Sequence, residues 1–158
     1  MAHSQYELLK QRRFLPFFLT QALGAFNDNV FRNAMLALMV YQMGLSTEQS
    51  TLYANLAPAL FILPYFLFSA TAGQIAEKVD KARLIRITTA MEIAIMSLAA
   101  FGFIYGLPAL LLFCLFLTGV QSTLFGPVKY AILPQHLKSD ELIGGNALIE
   151  AGTFIAIL

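Results

Sequence analysis

Three stretches of this chain, residues 52–76, 84–105 and 107–125, run in apolar residues with few interruptions for long enough to cross a bilayer. Crossing ~30 Å of hydrocarbon takes roughly 17–25 residues of helix. A further stretch, residues 14–41, is as long, though Asn27-Asp28-Asn29 and Arg32 interrupt it. Another opens near Leu142 and is still apolar at Leu158. The runs lack the alternation that a barrel strand needs, so they read as helices. Pro58 and Pro64 fall inside the second run and imply kinks whose freed backbone groups neighbouring helices shield. The expectation is an all-α membrane protein with transmembrane helices at about 14–41, 52–76, 84–105, 107–125 and 142–158. These follow an N-terminal segment of residues 1–13, and short connections make residues 14–158 one bundle.

Composition excludes the main alternatives. Of the 158 residues, 58% are hydrophobic and 12% charged, and the mean hydropathy is +0.69. Soluble domains sit near ~45–50% apolar and ~25% charged. An ordinary soluble enzyme or a disordered segment does not fit, and one cysteine, Cys114, makes no disulfide scaffold.

The net charge of +1 is uninformative, but its placement is not. Lys10, Arg12 and Arg13 precede the first span, and Lys78, Lys81, Arg83 and Arg86 lie between the second and third. Lys129 and Lys138 lie at or after the end of the fourth, whereas segments 42–51 and 106–108 hold no Lys or Arg. By the positive-inside rule the N-terminus and the basic loops are cytoplasmic, as in a multi-pass membrane protein. Arg12-Arg13-Phe14-Leu15 also looks like a twin-arginine export signal. The apolar run continues past it and further spans follow, so the first span is expected to be retained. The chain stops in apolar sequence with no anchor after it, so it is expected to be the N-terminal fragment of a longer protein.

Ionisable residues inside a span cost ~2.5–3.5 kcal/mol each on insertion scales and usually mark a pathway or an internal pair. Asp28 and Arg32 are four apart on one helical face, and Gln21 lies seven before Asp28 on nearly the same face. Asn29 and Asn33 edge this stripe, which suits either a wet wall for a zwitterionic or anionic head group or a structural ion pair. In the last span Asn146, Glu150 and Thr153 share a face, with Gly145, Gly152 and Ala156 beside them for close helix packing. Glu150 reads as a cavity or ion-coupling carboxylate, or as a buried hydrogen-bonded acid. Glu92 reads as snorkelling or paired. Thr118, Gln121, Ser122 and Lys129 can complete a polar cavity, with Lys129 placed at the interface to meet a phosphate. His3, His136 and Cys114 stand isolated, without metal-ligand spacing, phosphate loop or nucleophile motif. No enzyme, cofactor or nucleic-acid partner is expected.

The segment Gly73-Gln74-Ile75-Ala76-Glu77-Lys78-Val79-Asp80-Lys81-Ala82-Arg83 resembles the motif between helices two and three of the major facilitator superfamily. Gly73, Lys78 and Lys81 fit; Glu77 stands where Asp is usual and Asp80 where Gly is usual. The resemblance implies a cytoplasmic gate, in which the longer Glu77 carboxylate can still cap a helix N-terminus. Residues 24–29 with Arg32, residues 126–134, and Asn146-Ala147-Leu148-Ile149-Glu150-Ala151 resemble the lysophospholipid transporter branch of that superfamily. In some members the transporter is fused to a glycerophospholipid acyltransferase.

What the resemblance implies is part of a twelve-helix transporter moving lysophospholipids to the cytoplasmic leaflet for re-acylation. In such a bacterial inner-membrane protein the resemblance would draw substrate contacts from Asp28, Arg32, Lys129 and Glu150, and the polar pattern of the spans adds Gln21, Asn29, Gln121 and Asn146. Membrane lipids and a fused or associated acyltransferase are the expected partners. Two alternatives remain: a proton-coupled transporter of a small polar solute, and a membrane anchor for an acyltransferase.

Overall fold

The computed structural model describes residues 5–41 and 44–158. A 3-10 turn, Gln5–Lys10, is followed by α1 (Leu15–Tyr41), α2 (Thr47–Lys78), α3 (Lys81–Ile104), α4 (Pro108–His136) and α5 (Leu142–Ile157). Among the described residues there is no strand. The chain divides into two compact units, residues 31–128 and residues 1–30 with 129–158.

Among the described residues three helices, α2, α3 and α4, are long and apolar enough to cross a membrane. The other two expected spans are less uniform. At 27 residues α1 has the length, but the Asn27-Asp28-Asn29 cluster and Arg32 break its apolar run. The described α5 covers 16 residues.

Helix ends follow local chemistry. Helix α2 starts five residues ahead of the expected position because Ser46 and Gln49 form a reciprocal capping box. Ser46 Oγ accepts from the Gln49 amide and Gln49 Oε1 accepts from the Ser46 amide, each at 3.2 Å. The carboxylate that caps α3 is Asp80, which accepts from the Arg83 amide at 2.8 Å. The expected cap, Glu77, instead lies exposed in the last turn of α2. A residue without a side-chain acceptor could not make this cap, which gives Asp80 a physical reason to stand where the resembled motif has glycine.

Helix α3 is stopped just beyond its end by Gly106, whose φ of 60° lies in the left-handed region. Leu107 N donates to Gly102 O and Gly106 N to Phe103 O, the paired bonds of a Schellman turn. Pro108 then opens α4 with its backbone angle already preset. Helix α4 does not end near residue 125 as expected, but runs through Pro127 and Pro134 to His136. A proline inside a helix costs about 3 kcal/mol. Burial of Val128, Ile132, Leu133 and Leu137 offsets this, at roughly 1.5–3 kcal/mol per fully buried aliphatic side chain.

In the unit of residues 31–128, Phe31, Met35 and Met39 of α1 pack with Ala57 of α2, Ile95 and Ala99 of α3, and Leu111, Cys114 and Leu115 of α4. Gly119 brings α4 against α2: a Cβ there would lie 2.4 Å from the Phe61 carbonyl oxygen and 3.0 Å from Pro64. In the other unit, Leu8 and Phe14 pack with Leu133, Leu137, Leu148 and Ile149.

Candidate functional site

In the unit formed by residues 5–30 and 129–158, α5 packs on the end of α4 and on the first half of α1. The glycines of α5 permit this approach. A Cβ at Gly145 would sit 2.3 Å from Leu137 Cδ1, and one at Gly152 would sit 2.9 Å from the Phe18 ring and 3.1 Å from Gln21 Nε2. The small-residue face read in the sequence is thus a packing face.

That packing brings two of the candidate residues together. Lys129 Nζ of α4 lies 3.5 Å from Glu150 Oε1 of α5. The Tyr130 hydroxyl donates to the same oxygen. Lys129 Nζ also lies 4.9 Å from the Tyr130 ring centroid, within cation–π range. The Lys129 side chain is only 15% exposed, while the Glu150 side chain is 42% exposed, so the acid is the accessible member. The continuation of α4 to His136 places Lys129 within the helix rather than after its end. Tyr130 was not among the candidate residues, and its position beside Lys129 was the available signal.

A second polar seam joins α1 to α5. Gln21, buried, donates through Nε2 to the Ile149 carbonyl at 3.0 Å and accepts from the Thr153 hydroxyl at 3.0 Å. Asn29 Nδ2 donates to the Ile157 carbonyl at 2.8 Å. Gln21 and Asn29 therefore hold the two helices together. Asp28 and Asn146 are half-buried in this unit.

The remaining candidates belong to the unit of residues 31–128. Arg32 is half-buried one turn beyond Asp28 on α1. Gln121 is buried, donates to the Thr88 carbonyl of α3 at 3.3 Å, and accepts from Ser122 at 3.2 Å. Thr118 spends its hydroxyl on the Cys114 carbonyl of its own helix, at 2.8 Å. In the gate motif, Glu77 and Lys78 are exposed at the end of α2 and Lys81 opens α3. A Cβ at Gly73 would meet open space, so no packing contact in this structure demands glycine there.

Sequence reasoning also missed Arg13 and Glu141. In the sequence Arg13 reads as a topological charge and as part of a twin-arginine pattern. Its guanidinium binds Glu141 and the His136 carbonyl across the turn between α4 and α5. Among the described residues no group of His, Cys, Asp and Glu is placed to hold a metal ion.

No family model and no solved structure matches the chain. Curated proteins do. Lysophospholipid transporter LplT of Salmonella newport strain SL254 and that of Salmonella typhimurium strain LT2 are each 31% identical to it over 144 residues. The same holds for the protein of that name from Salmonella heidelberg strain SL476. In each case the match covers 91% of this chain and 33% of the relative, so the chain spans about a third of the length of the proteins it matches. With its long apolar helices, the chain is a multi-pass membrane protein, similar over nine-tenths of its length to proteins named lysophospholipid transporter.

Proposed function

We propose that this chain forms part of a lysophospholipid transporter of a bacterial inner membrane, and that Lys129 and Glu150 meet the head group of its substrate. The observation that carries the reading is the Lys129–Glu150 pair itself. It joins a largely buried cation to an accessible carboxylate on two apolar helices, in a chain similar to transporters of that name. Ionisable side chains within apolar helices are retained where they do work. A zwitterionic head group offers a phosphate to Lys129 and an ammonium to Glu150, exchanging one ion pair for two. Asp28, Asn29 and Asn146 add polar surface in the same unit and buried Gln21 is a further candidate there, while Arg32 and Gln121 are candidates in the other.

On this reading the N-terminus and the gate residues Gly73, Glu77, Lys78 and Lys81 face the cytoplasm, as the basic loops favour. Substrate moves from the outer to the cytoplasmic leaflet for re-acylation by a fused or associated acyltransferase. Rocking of structural repeats about a midplane site is the general route to such movement.

The test is photocrosslinking. Membranes bearing the chain are irradiated with a lysophosphatidylethanolamine that carries a photoreactive group near its phosphate, and the labelled peptide is mapped. Labelling within residues 126–153, competed by unlabelled lysolipid and reduced severalfold by Lys129→Ala, is expected. Labelling spread evenly over all helices and unchanged by Lys129→Ala would overturn the reading.

A further inference from the structure

Lys129 and Tyr130 are consecutive on α4, where neighbouring side chains point about 100° apart. Both nevertheless reach one atom, Glu150 Oε1: the ammonium at 3.5 Å and the phenol as a hydrogen-bond donor. Two donors on Oε1 leave the lone pairs of Oε2 for a third. The carboxylate belongs to a side chain that is 42% exposed, and Tyr130 beside it is a 47% exposed residue. A carboxylate oxygen next to an accessible aromatic face suits a primary ammonium, which gains both an ion pair and a cation–π contact.

We infer that Tyr130 is the specificity-determining residue of this site, holding Glu150 so that Oε2 is presented to a ligand ammonium. The inference rests on the head-group reading given above. Without the hydroxyl, Glu150 keeps Lys129 as its one partner among the described residues and turns toward it. The acid is then withdrawn from the ligand, and the lysine's charge is more fully neutralised. Tyr130 acts through Glu150, as a positioning residue, and its ring alone cannot substitute. A loss of this kind falls on ligands with an amine and spares those without one.

The experiment compares two ligands on the full chain in nanodiscs. Lysophosphatidylethanolamine carries the amine, and lysophosphatidic acid has the phosphate without it. Both carry the same fluorescent acyl label, and the ratio of their dissociation constants is the readout. Tyr130→Phe is expected to cut the preference for the amine-bearing ligand by roughly two- to tenfold, the range for one net hydrogen bond. Glu150→Gln is expected to cut it at least as far, and adding Tyr130→Phe to Glu150→Gln should change the ratio no further. If Tyr130→Phe weakens both ligands equally, the tyrosine is merely structural and the inference is overturned. The same follows if Lys129→Ala weakens both ligands while Tyr130→Phe leaves the ratio unmoved. If Lys129→Ala alters neither ligand, the head-group reading fails and the role of Tyr130 falls with it.

Discussion

One guanidinium nitrogen of Arg13, Nη2, reaches both carboxylate oxygens of Glu141, at 2.6 and 2.8 Å, across 128 positions of sequence. Nη1 of the same group donates to the His136 carbonyl at 2.7 Å, and Nε to Gln11 Oε1 at 2.7 Å. Glu141 also accepts from the Lys138 amide at 2.9 Å. The segment ahead of α1 is thereby tied across the α4–α5 turn, with Leu8 buried beneath it.

The Lys138 amide first, and Arg13 after it, hold the Glu141 carboxyl below its ordinary value. A carboxyl whose folded value lies below its unfolded one, about 4.3, contributes stability above that pH. It loses that contribution as the pH falls through the folded value. Glu141→Gln is therefore expected to lower the thermal midpoint at pH 7, and the two proteins should converge as the pH drops below about 4. Midpoints measured from pH 7 to pH 3 check this; curves that stay parallel throughout would show that Glu141 is not the titrating group.

Gly119 and Gly73 should behave oppositely. A methyl at residue 119 would lie 2.4 Å from the Phe61 carbonyl oxygen, which belongs to backbone and cannot swing away. Gly119→Ala is expected to cost about 1–3 kcal/mol, as overpacking does. Gly73→Ala meets open space and should stay within about 0.5 kcal/mol of the parent or stabilise it slightly. Unfolding in mixed micelles gives both values, and equal costs would contradict the α2–α4 contact.

Asp80 caps α3 through Oδ1. Asp80→Ala is expected to cost about 1 kcal/mol and to speed amide exchange at Arg83, while Asp80→Asn should retain most of the cap. Indistinguishable exchange at Arg83 in the parent and Asp80→Ala would rule the cap out as a stabilising contact.

The Gln21 amide lies buried between α1 and α5, bonded to the Ile149 carbonyl and the Thr153 hydroxyl. Interhelical hydrogen bonds in membranes average about 0.6 kcal/mol, so Gln21→Leu should cost little. Gln21→Ala should cost more, since it also opens a cavity. Micelle unfolding separates the two; both variants lack the amide, so a loss for Leu as large as that for Ala would mean that the amide's bonds outweigh the space it fills.

Sequence by itself determined that this chain is helical and built for a membrane, because hydrocarbon leaves a backbone few ways to bond its polar groups. It also carried the start of α2, in the Ser46–Gln49 capping box, although the apolar run alone pointed to a later start. It singled out Glu150 as an ionisable residue inside an apolar span, where a charge is costly, and Lys129 separately as a cation at the interface. Only the tertiary structure decided where α4 ends. Pro127 is a breaker in local terms, and burial of Val128 and Leu133 overrides it. Only the tertiary structure joined Lys129 to Glu150, added Tyr130 to the pair, and matched Arg13 with Glu141. The physical reason is common to all three. A helix sets which of its own residues share a face, but which face meets which neighbour depends on packing between helices far apart in sequence, here on the absent side chains of Gly145 and Gly152.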